Sequence, residues 1–89
     1  MLSLNVLIKI TARGFKTEEI DFYINGSYNI KPRAVDGKDY FFELKATKKQ
    51  FDFMIIDKDS GNSIVRKLDG NTNYNWVVKK TLSGSIGVD

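Results

Sequence analysis

The acidic turn after residue 56 is the stretch of this chain whose residue types come closest to a metal-binding loop. Asp57, Asp59 and Asn62 offer side-chain oxygens within a few residues of one another. A calcium loop of the EF-hand type, counted from Asp57, needs glycine at its sixth position and an acidic residue at its twelfth. Asn62 and Leu68 hold those positions. The spacing therefore predicts an Asx turn, in which a side chain accepts a hydrogen bond from a nearby main-chain amide, and no metal site.

Residue types that commonly act as bases or nucleophiles are absent or isolated. The chain has no histidine and no cysteine, which removes the commonest general base, the commonest metal ligand and every thiolate. Nothing fixes a pair of acidic side chains at the separation of about 5–9.5 Å that glycoside chemistry requires. The acids considered for such a pair are Glu18, Glu19, Asp21, Glu43 and Asp52. We therefore expect no enzymatic activity, no catalytic residue and no cofactor.

Aromatic side chains are a further group that can bind ligands, because their flat faces stack on sugars and on unpaired bases. The ligand-facing candidates are Tyr23, Phe41, Tyr74 and Trp76. Trp76 is better explained as core, because a chain of 89 residues is short of large residues with which to fill its interior. Tyr23 and Phe41 are expected to be exposed, because their neighbours on the same strand face are charged.

Basic residues are concentrated in the second half of the chain. The net charge is +3, and residues 45–89 carry eight basic and five acidic side chains, against six of each in residues 1–44. The candidate basic patch consists of Lys45, Lys48, Lys49, Lys79 and Lys80. Such a patch attracts nucleic acid or an acidic partner. Solvated lysines that protect strand edges are the favoured explanation.

Alternation of apolar and polar residues organises almost the whole chain, and it predicts strands with one buried face. The predicted strands are residues 2–12, 19–25, 28–34, 38–47, 50–57, 63–68 and 74–82. Asn25-Gly26 predicts a hairpin turn, and Pro32 predicts an edge strand or a bulge. Residues 50–57 are apolar on both sides, which indicates a central strand. Short strands separated by turn residues predict a sandwich or a small barrel.

The length of the chain predicts one domain. We expect this single β domain over residues 1–82 and a flexible tail over residues 83–89, which are small and rich in serine and glycine. The start of the chain lacks a basic region and a long apolar run, so neither a signal peptide nor a membrane span is predicted. We expect the protein in the cytoplasm or in a phage particle, or as a domain excised from a bacterial surface protein.

Three segments resemble bacterial immunoglobulin-like domains. Residues 19–27 (EIDFYINGS) resemble the V-x-F-Y-V-N-G run of their central strand and hairpin. Residues 40–42 (YFF) resemble their next Y-x-F strand, and residues 51–62 resemble their late strand with its D-x-D-x-G-N turn. The usual first strand has no counterpart. Residues 73–82 are either an additional strand or the true last strand, in which case residues 58–72 form an inserted hairpin.

The resemblance implies an all-β fold, an antiparallel immunoglobulin-like β-sandwich of about seven strands, with a small β-barrel as the alternative. It implies a non-catalytic structural module for adhesion, spacing or decoration, including on phage particles. The expected partner is a protein or a second copy, bound through a sheet face or an edge strand. A carbohydrate-binding sandwich and a small barrel for single-stranded nucleic acid remain alternatives, on the aromatic residues and on the lysines respectively.

Overall fold

The structure is a computed structural model that describes residues 4–16, 18–46 and 49–89. Nine strands form within them: β1 Leu4–Arg13, β2 Ile20–Ile24, β3 Tyr28–Ile30, β4 Ala34–Asp36, β5 Asp39–Ala46, β6 Gln50–Asp57, β7 Ser63–Asp69, β8 Tyr74–Lys80 and β9 Ile86–Val88. The described residues contain no helix of the length and apolarity needed to cross a membrane.

The strands form two separate sheets that pack face to face. The five-stranded sheet has the order β4-β5-β1-β8-β9, and the four-stranded sheet has the order β3-β2-β6-β7. Neighbouring strands are antiparallel except β1 and β8, which are parallel. The predicted β-sandwich is confirmed, and the two sheets do not close into a barrel.

The core consists of inward-facing side chains from both sheets. β6 shows the pattern best, because residues 51, 53, 55 and 57 are buried while 52, 54 and 56 are half-buried. Phe53 lies at the centre, with its ring centroid 5.9 Å from that of Phe22 and 5.6 Å from that of Phe42. Each such ring removes a large apolar area from water. The predicted strand 50–57 is confirmed, although only one of its faces is fully buried.

The strand order follows an immunoglobulin-type sandwich with one replacement. β4, β5 and β1 lie in the order of strands D, E and B, and β3, β2, β6 and β7 lie in the order of C′, C, F and G. β8 lies beside β1, where such a sandwich has its first strand, but it runs parallel to β1. Residues 63–69 thus supply the strand beside β6, and the strand around Trp76 lies in the other sheet, beside β1.

Two segments differ from the sequence prediction. Residues 28–34 are two strands rather than one, because the chain leaves the four-stranded sheet after Ile30 and joins the five-stranded sheet at Ala34. Pro32 lies in this crossover, where no strand ladder needs the N–H that proline lacks. Residues 86–88 lie within the segment expected as a flexible tail over residues 83–89, and in the structure they form β9 and pair with β8.

The turn between β2 and β3 has the predicted form. Asn25 and Gly26 have φ angles of 51° and 78°, as a type I′ hairpin turn requires at its two central positions. The main-chain N–H of Ser27 donates to the carbonyl of Ile24 at 3.3 Å. Of the predicted strands, residues 2, 3 and 47 lie outside the described residues.

Candidate functional site

Charged side chains of opposite sign meet inside one end of the sandwich. The alternation that buries Phe53 in β6 also turns Asp57 inward, and the alternation that buries Val78 in β8 also turns Lys80 inward. Glu19 precedes β2 and joins them. We call Glu19, Asp57 and Lys80 the ionic cluster. Its side chains are well removed from water, with Asp57 0 % and Lys80 16 % exposed.

Hydrogen bonds satisfy the charges of the ionic cluster. Lys80 Nζ lies 2.7 Å from Asp57 Oδ2 and also bonds Glu19 Oε1. Asp57 Oδ2 accepts from the Ser60 hydroxyl at 2.6 Å, and Glu19 Oε2 accepts from the Lys16 N–H at 2.5 Å. Among the described residues, no buried side-chain polar atom lacks a partner. Because buried charge is tolerated only when it is paired and hydrogen-bonded, this arrangement can close the end of the sandwich.

Asp57 and Lys80 of the ionic cluster retain their charges near neutral pH. Burial by itself would raise the pKa of Asp57, but hydrogen bonds from Lys80 and Ser60 outweigh burial and hold that pKa well below its usual 3.8. Hydrogen bonds to Asp57 and Glu19 raise the pKa of Lys80 well above its usual 10.5, against the effect of burial. A protonated lysine is not a nucleophile, so Lys80 cannot act as one. The Asp57 carboxylate, with its lowered pKa, is a weak base and accepts protons poorly. The geometry therefore supports a structural role.

The acidic turn after β6 is an Asx turn, as predicted. Asp57 Oδ1 accepts from the Asp59 N–H at 3.1 Å, and the Asp57 N–H donates to the carbonyl of Asn62 at 2.8 Å. The Asn62 side-chain amide donates to the carbonyl of Gly84. No group of three or more His, Cys, Asp or Glu side chains in the described part of the chain is arranged to hold a metal ion. Asp57 and Asn62 thus hold the turn and the loop that precedes β9.

The four candidate aromatic residues do not form one platform. Trp76 packs against Phe53, with ring centroids 6.2 Å apart, as the core explanation predicts. Tyr74 lies beside Trp76, at 5.1 Å between centroids. Tyr23 and Phe41 are half-buried, and they belong to different sheets, on which they alternate with inward-facing residues. One ligand therefore cannot contact all four side chains.

The candidate basic patch is divided between the two ends of the sandwich. The distance between Lys45 and Lys79 can be estimated along β1, because Asn5 pairs with Lys45 and Arg13 pairs with Lys79. A strand rises about 3.3 Å per residue, so the eight steps from Asn5 to Arg13 separate these two pairs by about 26 Å. Lys45 and Lys79 therefore do not belong to one surface patch.

The other lysines of the candidate patch differ in their surroundings. Lys80, a member of the candidate patch, is half-buried and paired in the ionic cluster, so it is not available as a surface cation. Lys79 lies 3.0 Å from the carboxylate of Asp89. Lys49 is exposed, and Lys48 lies outside the described residues. Few of the predicted cations are thus available together to a nucleic acid.

An open groove lies between the two sheets, away from the ionic cluster, and we call it the β3–β5 groove. Its volume is about 710 Å³, within the range of about 300–1,000 Å³ that is usual for binding clefts. Its apolar lining consists of Ile24, Ile30, Leu44 and Phe51. Ile30 and Phe51 are buried, and Ile24 and Leu44 are half-buried. The groove therefore presents apolar surface to an incoming partner.

Short strands leave the β3–β5 groove open at the side. β3 has only three residues, and β4 pairs with β5 only at residues 39–41. The crossover of residues 31–33 connects the two sheets on the side of β4. Tyr28 lies at the rim and is 69 % exposed. Strand edges of this kind carry unpaired main-chain groups, which here lie beside apolar surface.

The ionic cluster as a unit and the groove were not predicted from the sequence. A signal for the cluster was present, because Lys80 is in phase with Trp76 and Val78, and Asp57 is in phase with Phe53. Two inward-facing charges of opposite sign in an otherwise apolar pattern indicate a pair. No comparable signal indicates the groove, which exists because one predicted strand is divided between two sheets.

Comparison with known proteins found no matching family model, no matching curated protein and no matching solved structure.

Proposed function

We propose that this protein is a non-catalytic immunoglobulin-like module that binds another protein at the β3–β5 groove. The observation that carries the proposal is the groove, in which an apolar floor lies between two open strand edges. Extended segments of partner proteins commonly bind such edges by adding a strand. A setting in a phage particle or a bacterial surface protein is consistent with this role and stays a prediction.

Two further features support a binding role. Tyr28 is a large aromatic residue held at the rim of the groove and left mostly exposed, and exposed aromatic residues are typical anchors of protein interfaces. In the ionic cluster, Lys80 keeps its proton and Asp57 stays ionised, because each stabilises the charge of the other, so neither is suited to act as a nucleophile or to exchange protons near neutral pH. The immunoglobulin-type strand order supports the family part of the proposal.

The carbohydrate alternative has less support. A shallow depression of about 280 Å³ in the five-stranded sheet is lined by Leu7, Phe41 and Tyr74 among others. Trp76 packs against the core and Tyr23 lies on the other sheet, so the depression has few of the flat faces that a sugar would need. We therefore do not propose carbohydrate binding.

Affinity capture with two matched variants tests protein binding at the groove. The immobilised wild-type chain, a Tyr28→Ser variant and a Val65→Ser variant are each exposed to an extract of the source organism. Val65 is a fair control because it is 48 % exposed and lies on β7, away from the groove. Any protein retained by the wild type is then purified, and its binding is measured again in isolation.

The proposal expects a purified protein that binds the wild type and the Val65→Ser variant and that binds the Tyr28→Ser variant at least several-fold more weakly. Equal binding to all three would place the interaction elsewhere on the molecule. Retention of no protein, with a monomeric chain in sedimentation, would overturn the binding role.

A further inference from the structure

The outer edge of β5 is covered only in part. β4 pairs with β5 as far as Phe41, and the main-chain N–H of Arg33 donates to the carbonyl of Phe41 at 2.7 Å. Along an antiparallel strand, the main-chain groups of successive residues point to opposite sides. The main-chain N–H and carbonyl groups of Glu43 and Lys45 therefore point to the same edge of β5 as the main-chain groups of Phe41. No strand of the described residues pairs with this part of the edge.

We infer that the β3–β5 groove receives an extended, acidic segment of a partner protein, which adds as a strand to β5 beside Glu43 and Lys45. This inference rests on the proposed function and gives it a binding mode and a partner chemistry. The added strand would hydrogen-bond with the two N–H and the two carbonyl groups that β4 leaves unpaired.

The side chains beside this edge suit a strand with apolar residues at every second position. Leu44 points into the sandwich between Glu43 and Lys45, and it lines the groove together with Ile30 and Phe51. Because alternate side chains of a strand point to one face, every second residue of the added segment would lie against this apolar lining. The other residues would lie on the outer face, beside the side chains of Glu43 and Lys45.

The charge at the rim selects an acidic segment. Glu43 is already paired with Arg33, whereas Lys45 is exposed and has no ion pair within the described part of the chain. Lys31 also lines the groove, and it is 77 % exposed and 3.8 Å from Asp21. The charge that remains available to a partner is therefore positive. Opposite charges across neighbouring strands stabilise the pairing, and like charges oppose it.

The edge favours a flexible segment over a second folded copy of this chain. Within the described part of the chain, the free stretch of this edge is limited to residues 43–45 of β5, because β4 and Arg33 occupy the same edge next to them. If two copies paired through this edge, β4 of each copy would collide with the extended β5 of the other. A peptide segment can bend away from the edge at Arg33, whereas a folded copy cannot.

Short synthetic peptides in NMR titrations test the inference with the intact chain. The probes are a peptide of alternating valine and glutamate, one of alternating valine and lysine, and the first peptide with N-methylated amides. We expect the valine–glutamate peptide to shift the amide signals of Ile30, Glu43 and Lys45, while the other two leave them unchanged. Raising the salt concentration should weaken the effect, since part of the attraction is between charges.

Two variants separate the main-chain contacts from the charge. Lys45→Pro removes the N–H that points to the free edge and leaves the N–H groups that face β1, a placement that an edge strand tolerates. Lys45→Gln removes the charge and keeps that N–H. We expect Lys45→Pro to abolish the shifts and Lys45→Gln to weaken binding several-fold. The dispersed amide spectrum of each variant confirms that it is folded.

Several results would overturn the inference. These are no shifts at Glu43 and Lys45 with millimolar valine–glutamate peptide, equal shifts with the lysine peptide or the N-methylated peptide, and unchanged binding by Lys45→Pro. Shifts that depend on the concentration of the protein alone would indicate a second copy instead. A purified partner that needs Tyr28 but binds Lys45→Pro normally would overturn strand addition and leave protein docking at the groove intact.

Discussion

The interior of the sandwich ends differently at the ionic cluster and at the β3–β5 groove. At the ionic cluster, Asp57 is fully buried, and its carboxylate accepts hydrogen bonds from Lys80, Ser60 and the Asp59 main chain. At the groove, half-buried Leu44 and mostly exposed Tyr28 lie beside a free strand edge. At the first end, no buried side-chain polar atom of the described residues lacks a partner, whereas the groove has both apolar surface and unpaired main-chain groups.

This difference separates stability from binding within one small domain. A closed end contributes to folding, because a buried polar group without its partner costs free energy. An open end contributes less to folding, but the same unsatisfied features can be satisfied by a partner. Four experiments test this division.

Removing the cation of the ionic cluster should have the largest effect. Lys80→Met leaves the Glu19 and Asp57 carboxylates buried together without their partner, and breaking a buried ion pair in this way is strongly destabilising. We expect the thermal midpoint to fall on the order of ten degrees or more. Differential scanning calorimetry of the variant and the wild type measures the change.

The same substitution at the other end supplies the control. Lys45 is exposed and unpaired among the described residues, so Lys45→Met should move the midpoint by about four degrees or less, as is usual for surface changes of about 0.5 kcal/mol or less. Comparable losses in the two variants would refute the division between a structural end and a binding end.

Acid should weaken the closed end next most strongly. The pKa of Asp57 in the folded state lies below its usual 3.8, so the unfolded state binds more protons below about pH 4 and the free energy of unfolding falls there. The pKa of Lys80 lies above its usual 10.5, so that its contribution is lost only above about pH 10.5. Between these limits the charges of Asp57 and Lys80 contribute a constant stability.

Urea unfolding of the wild type and an Asp57→Asn variant between pH 7 and pH 2 isolates this effect, because the remaining acidic groups titrate in both proteins. The stability advantage of the wild type should shrink as the pH falls below about 4. An advantage that stays constant to pH 2 would mean that Asp57 does not bear the charge that holds Lys80.

A matched pair of glycines compares the two ends through the main chain. Gly14 and Gly26 both have positive φ, at 83° and 78°. A Cβ on Gly14 would lie 2.8 Å from the Lys80 carbonyl oxygen, whereas a Cβ on Gly26 would meet nothing within 4 Å. Gly26→Ala should therefore cost about 1–2 kcal/mol for the backbone conformation alone.

Gly14→Ala should cost more than Gly26→Ala, because the main chain of β8 at Lys80 must also shift. Chemical denaturation of both variants measures the difference. Equal losses would show that the close approach of residue 14 to the end of β8 carries no stability of its own.

The sequence predicts the strands well and their sheet membership poorly. Period-two alternation locates β6 and the turn at Asn25-Gly26, because burial of one face and positive φ are local requirements. The addition of β8 beside β1 and the pairing of β9 depend on contacts between distant segments. No local pattern in the sequence indicates such contacts. The residues of β9 were therefore predicted to belong to a tail that contains serine and glycine.

The two candidate sites differ in the same way. From the sequence, Asp57 was a candidate in the acidic turn and Lys80 was a separate candidate in the basic patch. Both are in phase with the buried residues of their strands, and this could have predicted that they pair. The β3–β5 groove depends on where β4 ends along β5, and on the crossover at Pro32. Proline indicates an interrupted ladder, but not that the chain changes sheets at that point. A groove formed by missing pairing is therefore recognised only in the folded molecule.

The smallest effect on stability should come from Tyr28, although its side chain is expected to contribute to binding at the groove. Tyr28→Ser removes a side chain that is 69 % exposed, so the free energy of unfolding should change by about 0.5 kcal/mol or less. Equilibrium denaturation measures this change, with Val65→Ser as a variant of similar exposure on β7. If Tyr28→Ser is as damaging as Lys80→Met, the rim of the groove belongs to the core, and its loss of binding would report unfolding rather than a lost contact.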